Sequence, residues 1–159
     1  MYPSANIWLT GHSLGGALAA LLGSTFGVPA VAFEAPGELI AAQRLHLPLP
    51  PLSPITHVYH TADPIPQGAC TGLYSPCVSA GFALETKCHL GRKIIYDTVT
   101  ELGWRVDVRK HTIKEVITNV LGVEREWEEG REVPLAIPED EDCVVSFVEF
   151  KHLTQPQSS

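Results

Sequence analysis

The stretch Gly11-His12-Ser13-Leu14-Gly15-Gly16 constrains this chain more than any other part of its sequence. It stands between a short apolar run, Asn6-Ile7-Trp8-Leu9-Thr10, and a run rich in Ala, Gly and Leu from Leu14 to Phe26. The first suits a buried strand. The second suits a helix whose small residues let it lie close to a sheet, with Gly27 as its stop. Strand, G-x-S-x-G and helix in that order make a sharp turn that lifts a serine above a sheet. The serine in such a turn is strained, and side chains at positions 11 and 15 are expected to collide with the adjoining strand and helix. The helix start then aims amides at any anion formed beside Ser13, which makes the Leu14 amide a candidate oxyanion donor. The competing reading is a chance glycine-rich helix start.

Further along, Val28 to Phe33 and Ile55 to His60 read as apolar strands, and Glu38 to Leu45 and Ile113 to Leu121 as helices. Trp104 to Val108 alternates and reads as a strand; Ile94 to Leu102 fits strand or helix equally. Strands separated by helical segments predict an α/β fold with a largely parallel sheet flanked by helices. The chain has 159 residues, enough for one domain with a real core.

Charge is unevenly placed. Residues 1–123 balance eight acidic against eight basic side chains, whereas 124–149 carry ten acidic residues against Arg125 and Arg131. The latter stretch reads as an acidic, loosely ordered tail spanning 124–159. A net charge of −7 offers no basic footprint for nucleic acid. No apolar run approaches the roughly 18 residues of a membrane span, so no leader or anchor is expected within these residues. Cys70, Cys77, Cys88 and Cys143 fit either disulfide staples of a loop or buried free thiols. Without a Cys-x-x-Cys pair, a zinc site is the weakest reading.

A serine needs a base, and the base an orienting acid. After this type of turn the expected order is Ser, then Asp or Glu, then His. Asp63 is the favoured acid, held just beyond the strand 55–60 by Pro64 and Pro66; Asp97 and Asp107 compete less well. His111 is the favoured base because it follows the alternating run at 104–108, so that it too sits at a strand end. His89, in the cysteine loop, is the rival base, with a solvent-facing loop residue as its bland reading. His152 falls in the tail. His12 points away from its neighbour Ser13 and is expected to support the pocket. His57 and His60, three apart on a strand, face opposite sides and make a weak metal signal with Asp63.

Residues 11–16, 57–66 (HVYHTADPIP) and 103–113 (GWRVDVRKHTI) resemble the class 3 lipases, and within them the fungal autophagy-related vacuolar branch. Residues 32–37 (AFEAPG), 84–89 (LETKCH), 96–99 (YDTV) and 141–144 (EDCV) are similar to the same branch, so the likeness runs through nearly all of 2–150. It implies an α/β-hydrolase fold, of which 1–123 would be the C-terminal portion. It implies Ser13 as nucleophile, Asp63 as triad acid and His111 as base, with no cofactor and no metal. The implied substrates are acylglycerol or phospholipid esters at a membrane surface, in the breakdown of autophagic bodies. The implied location is the vacuolar lumen, reached through the secretory pathway by a membrane-anchored parent protein. An acidic lumen is expected to disable part of the His111 population as base. The family's anchor, first strands, lid and other oxyanion donor would lie outside this chain, leaving a sheet edge that needs covering. A non-lipase esterase, or a truncated chain without activity, are the alternatives.

Overall fold

The computed structural model describes residues 5–50, 52–69, 86–140 and 142–143. Five strands form one sheet in the order β1 (Leu9–His12), β2 (Ala30–Phe33), β3 (Ile55–His60), β4 (Arg92–Tyr96) and β5 (Ile137–Pro138). The first four run parallel and β5 joins antiparallel. Parallel neighbours need crossovers; the helical segments after β1 and β2 pack on one face of the sheet, and Leu102, Val120 and Trp127, from after β4, cover the other. This is the α/β-hydrolase arrangement expected from the sequence, a largely parallel sheet flanked by helices.

Strand β2 shows how both faces are filled. Ala30 and Ala32 point into a cluster with Ala17, Ala20, Ala42 and Ile55, while Val31 and Phe33 pack against a second cluster of Val58, Tyr96, Val120 and Trp127. The alternation is the period of two of an extended chain, used here with apolar residues on both sides. Helix α1 (Leu14–Phe26) lies on the first face through Gly16, Ala17, Ala20 and Gly23, whose small side chains permit close approach. A Cβ at Gly23 would sit 2.9 Å from that of Ala30. The helix ends at Gly27, whose left-handed φ of 64° costs a glycine little. Its outer stripe, Leu14, Leu18, Leu22 and Phe26, is exposed, as are Ile7 and Trp8 ahead of β1. β1 is the open edge of the sheet among the described residues.

Helix α2 (Leu39–Arg44) follows β2, α3 (Thr98–Leu102) follows β4, and α4 (Ile113–Val116) continues as a wider π turn over Ile117–Leu121. The undecided stretch 94–102 is thus both things in turn, strand to Tyr96 and helix from Thr98. The reading of 104–108 as strand is corrected. Residues 104–107 are irregular, and Val108–His111 form a 3₁₀ turn capped by the Asp107 side chain, which accepts from the Arg109 amide at 2.8 Å. The alternation has another cause. Trp104 lies edge-on to His60 and under the Lys110 ammonium, and the Asp107 amide bonds the Ala62 carbonyl, so the segment crosses the strand ends without joining the sheet.

Acidic residues of 124–143 bind the body of the fold where cations await them. Lys93, on β4, is buried between Glu139 and Asp140 at 2.8 and 2.7 Å. Burial alone would lower its pKa; the two carboxylates raise it instead. Trp127 is buried edge-on against Tyr96. Cys143 is joined to Cys88 by a disulfide. Cys70, Cys77 and His152 lie outside the described residues.

Candidate active site

The ends of β1 and β3 and the 3₁₀ turn Val108–His111 supply the site. Ser13 follows β1 with φ 56° and ψ −129°, a backbone conformation that non-glycine residues seldom hold. The cramped geometry around it explains part of the glycine pattern. A Cβ on Gly11 would stand 2.2 Å from the Gly15 carbonyl, and one on Gly16 would stand 3.0 Å from the Gly11 carbonyl oxygen. At Gly15 a Cβ would meet nothing within 4 Å. The expected collision is therefore at 11 and 16. Position 15 is on the outward side of the first helical turn, so the reading for that glycine is corrected.

The Ser13 carbonyl accepts from the amides of Gly16 and Ala17. The Leu14 and Gly15 amides stand at the helix start, where no intrahelical acceptor exists for them. They are available to an anion beside Ser13, helped by the dipole of a thirteen-residue helix.

Asp63 follows β3 and is fully buried. Its amide bonds the His60 carbonyl, and its Oδ1 accepts from the Ile65 amide at 3.0 Å, an arrangement that closes the Asp-Pro turn. Gln67 bonds the Asp63 carbonyl at 2.9 Å. His111 ends the 3₁₀ turn. Its Nδ1–H donates to Asp63 Oδ2 at 2.6 Å, and its Nε2 accepts from the Ser13 hydroxyl at 2.7 Å. Ser13, His111 and Asp63 thus stand in one hydrogen-bonded line although 98 and 48 residues separate its links. That tautomer leaves a lone pair on Nε2 facing the hydroxyl, which is what a general base requires.

His12 supports this line from the side. Its Nε2–H donates to the His111 carbonyl at 2.8 Å, and the two rings stand 4.9 Å apart. Burial lowers the His12 pKa, partly offset by that bond.

His89 is elsewhere. It is buried rather than solvent-facing, its Nε2–H donates to the Pro66 carbonyl at 2.9 Å, and its ring stacks on His57 at 4.4 Å. At the edges of both rings lies Glu38, which the sequence reading did not single out. Glu38 Oε1 accepts from His57 Nε2 at 2.8 Å and from the Leu90 amide at 3.0 Å, and Oε2 faces His89 Nδ1 at 3.4 Å. Burial pushes the Glu38 carboxyl up, but His57 and His89 outweigh it and hold its pKa at about 2. Donor atoms of Glu38, His57 and His89 lie within 4.8 Å of one another, a spacing that a metal ion could use. Here acid and imidazole bond each other directly. The signal missed was one glutamate in an otherwise apolar helix start, whose partners lie 19 residues away at His57 and, for Leu90, 52 away.

Asp97 and Asp107, the lesser candidates for the acid, each cap a helical turn: Asp97 accepts from Thr100 and Thr61, Asp107 from Arg109.

A largely parallel sheet with a strained serine, a histidine and an aspartate gathered at its strand ends defines a portion of an α/β-hydrolase. Comparison with known proteins gives a narrower likeness. The sequence model described as lipase (class 3) matches residues 1–27. The chain is 65% identical over 126 residues to the "Putative lipase ATG15" of Cryptococcus neoformans, which covers 76% of this chain and 24% of that relative. The relatives of the same name from Pichia angusta and Mycosarcoma maydis are 57% and 52% identical, over 77% and 80% of this chain and 24% and 26% of their own lengths. No solved structure matches. The chain is similar to part of these putative lipases and spans about a quarter of the length of the curated relatives it matches. No helix among the described residues is long and apolar enough to cross a membrane.

Proposed function

We propose that the chain carries the nucleophile, acid and base of a serine lipase that hydrolyses acylglycerol or phospholipid esters. The observation that carries this reading is the line Ser13–His111–Asp63, with links of 2.7 and 2.6 Å. Ser13 Oγ attacks the ester carbonyl while its proton passes to His111 Nε2. The tetrahedral oxyanion is held by the Leu14 amide at the start of α1. Asp63 fixes the ring through Nδ1 and stabilises the imidazolium. His111 then hands the proton to the leaving alcohol, and water, activated by the same base, releases the fatty acid from Ser13. No cofactor takes part.

Support for a lipid substrate comes from the relatives' printed name and from apolar side chains left exposed beside the machinery: Leu14 next to Ser13, and Ile113, Ile117 and Leu121 after His111. We assign 1–123 to the C-terminal portion of the hydrolase domain and 124–159 to an acidic extension. The cellular role that fits is breakdown of membranes delivered to the vacuole by autophagy, by a parent protein held at the membrane in the secretory route. A partner segment covering the open edge of β1 belongs to the same reading.

The test is labelling with a serine-directed fluorophosphonate. Wild type is expected to label and Ser13→Ala to lose at least four orders of magnitude in labelling rate. Equal labelling of both would end the assignment. A series of ester chain lengths decides the substrate class, since preference for short soluble esters rules out a lipase.

A further inference from the structure

Glu38, His57 and His89 meet from three parts of the chain: the residue before α2, the third position of β3 and the loop before β4. They are 3%, 0% and 3% exposed, and one ligand atom from each lies within 4.8 Å of the others.

The hydrogen bonds of this group decide which atoms are left over. The Pro66 carbonyl can only accept, so a neutral His89 ring carries its proton on Nε2 and presents a lone pair at Nδ1. Glu38 Oε1 is taken by His57 Nε2–H at 2.8 Å and by the Leu90 amide at 3.0 Å. Glu38 Oε2 faces His89 Nδ1 at 3.4 Å. Among the described residues neither of these two atoms has a hydrogen-bond partner, and neither has His57 Nδ1. A carboxylate oxygen and an imidazole nitrogen aimed at each other are two acceptors without a donor, an arrangement that a cation between them resolves.

The spacing is that of a metal site. Zinc bonds of about 2.0–2.1 Å at tetrahedral angles set neighbouring ligand atoms about 3.3–3.4 Å apart, and Oε2 and Nδ1 already stand at that distance. To join through Nε2, His57 has only to open its 2.8 Å contact with Glu38 to a similar value. The outer supports of metal ligands are present as well. The bond from His89 Nε2–H to Pro66 fixes the ring, and the Leu90 amide on Oε1 turns Oε2 towards His89. Two imidazoles and one carboxylate suit zinc better than calcium or magnesium, which prefer oxygen shells.

We propose that Glu38 Oε2, His89 Nδ1 and a ring nitrogen of His57 form a structural zinc site that clamps the start of α2, β3 and the loop before β4. Glu38 Oε1 or a water is the fourth ligand. Where His57 ligates through Nε2, its proton moves to Nδ1, and nothing is oxidised or reduced. Without the ion the group rests in the Glu38–His57 hydrogen bond described above. The clamp does not depend on the serine-hydrolase reading, because it takes no part in proton transfer at Ser13.

Zinc loading of the whole chain tests the site: the chain is refolded in zinc with its disulfide intact, then dialysed against metal-free buffer. One zinc per chain is expected, with an X-ray absorption spectrum fitted by two imidazoles and by oxygen at about 2.0–2.1 Å, without sulfur. Zinc at a hundred times its Kd should raise Tm by about 5–10 °C. No retained zinc, or a shell with fewer than two imidazoles, overturns the site and leaves the Oε2–Nδ1 contact to a proton. His57→Gln and His89→Gln should each weaken zinc binding by at least about 100-fold, the upper end of what loss of an outer support costs. His46→Gln, at an exposed histidine, should leave it unchanged. Undiminished affinity in a folded His89→Gln chain overturns the ligand set. If those variants fail to fold, the absorption spectrum of the wild type decides alone. Fluorophosphonate labelling per folded chain should be equal with and without zinc, and labelling that needs zinc at constant Tm overturns the structural role.

Discussion

Among the described residues, two buried acid–imidazole groups are built on almost the same contact: Asp63 with His111 at 2.6 Å, and Glu38 with His57 at 2.8 Å. They differ in what lies at the far end. Beyond His111 stands the Ser13 hydroxyl at 2.7 Å, on a partly exposed turn, so the pair ends in a group able to react. Beyond Glu38 stand a second imidazole, His89, and the Leu90 amide, all within the core. An acid–histidine contact is thus not by itself a sign of catalysis. The strained nucleophile at the open end makes the difference, and the closed group holds together the start of α2, β3 and the loop before β4.

Substitutions can break this contrast. Asp63→Asn should have the largest effect, lowering the fluorophosphonate labelling rate by about 10⁴-fold because Nδ1 loses its acceptor and the ring its tautomer. The fold, judged by melting, should change far less. Glu38→Gln should do the reverse. It removes a buried charge from two imidazoles and should cost about 3 kcal/mol, read as a fall in Tm of about 10 °C, with labelling per folded molecule preserved. A loss of labelling with an unchanged Tm would show the two groups to be one functional unit.

The pH dependence of stability sharpens the same contrast. The Glu38 carboxyl is depressed from 4.5 to about 2 in the fold, so its contribution is complete above 4.5 and lost as pH falls towards 2. His89 is displaced the other way. Burial would lower it, but Glu38 and the Pro66 carbonyl raise it above 6.5, so its contribution is complete below 6.5 and lost as pH rises past its folded value. Thermal melts should therefore show a stability plateau between about pH 4.5 and 6.5, flattened in Glu38→Gln. The smallest effect belongs to His12→Ala. Loss of its bond to the His111 carbonyl should slow labelling about fivefold, the equivalent of about 1 kcal/mol.

How much of this was legible depended on how local the signal was. Helix α1 was read to the residue because its cause is local: a glycine turn before it and left-handed Gly27 after it. Strand β3 was equally plain, six apolar-leaning residues stopped by an Asp-Pro turn. Ser13, Asp63 and His111 could be picked out by type and order, and the structure brings those three side chains together. The reasoning for His111 was partly mistaken, since the residues before it make no strand. Trp104 and Val106 alternate because one packs on His60 while the other faces solvent, a pattern that imitates a strand without pairing. Glu38 was passed over because its meaning lies in His57 and His89, from other parts of the chain. A glutamate ahead of an apolar helical run is the only trace it leaves, and nothing local says that it is buried. The acidic stretch was read from composition alone, and composition does not show that Lys93 stands ready for Glu139 and Asp140.

The bridge between Cys88 and Cys143 has a consequence for the order of assembly. Along the backbone β5 is far from β4, and their pairing would have to close a long loop, a slow and entropically costly event. Through the sulfur atoms the same two strands are only a short walk apart. Once oxidised, the chain treats the last edge of its sheet as a near neighbour, and a late, distant pairing becomes a local one. The compartment in which the thiols are oxidised therefore bears on how quickly β5 finds its place, beyond its effect on how firmly β5 is held.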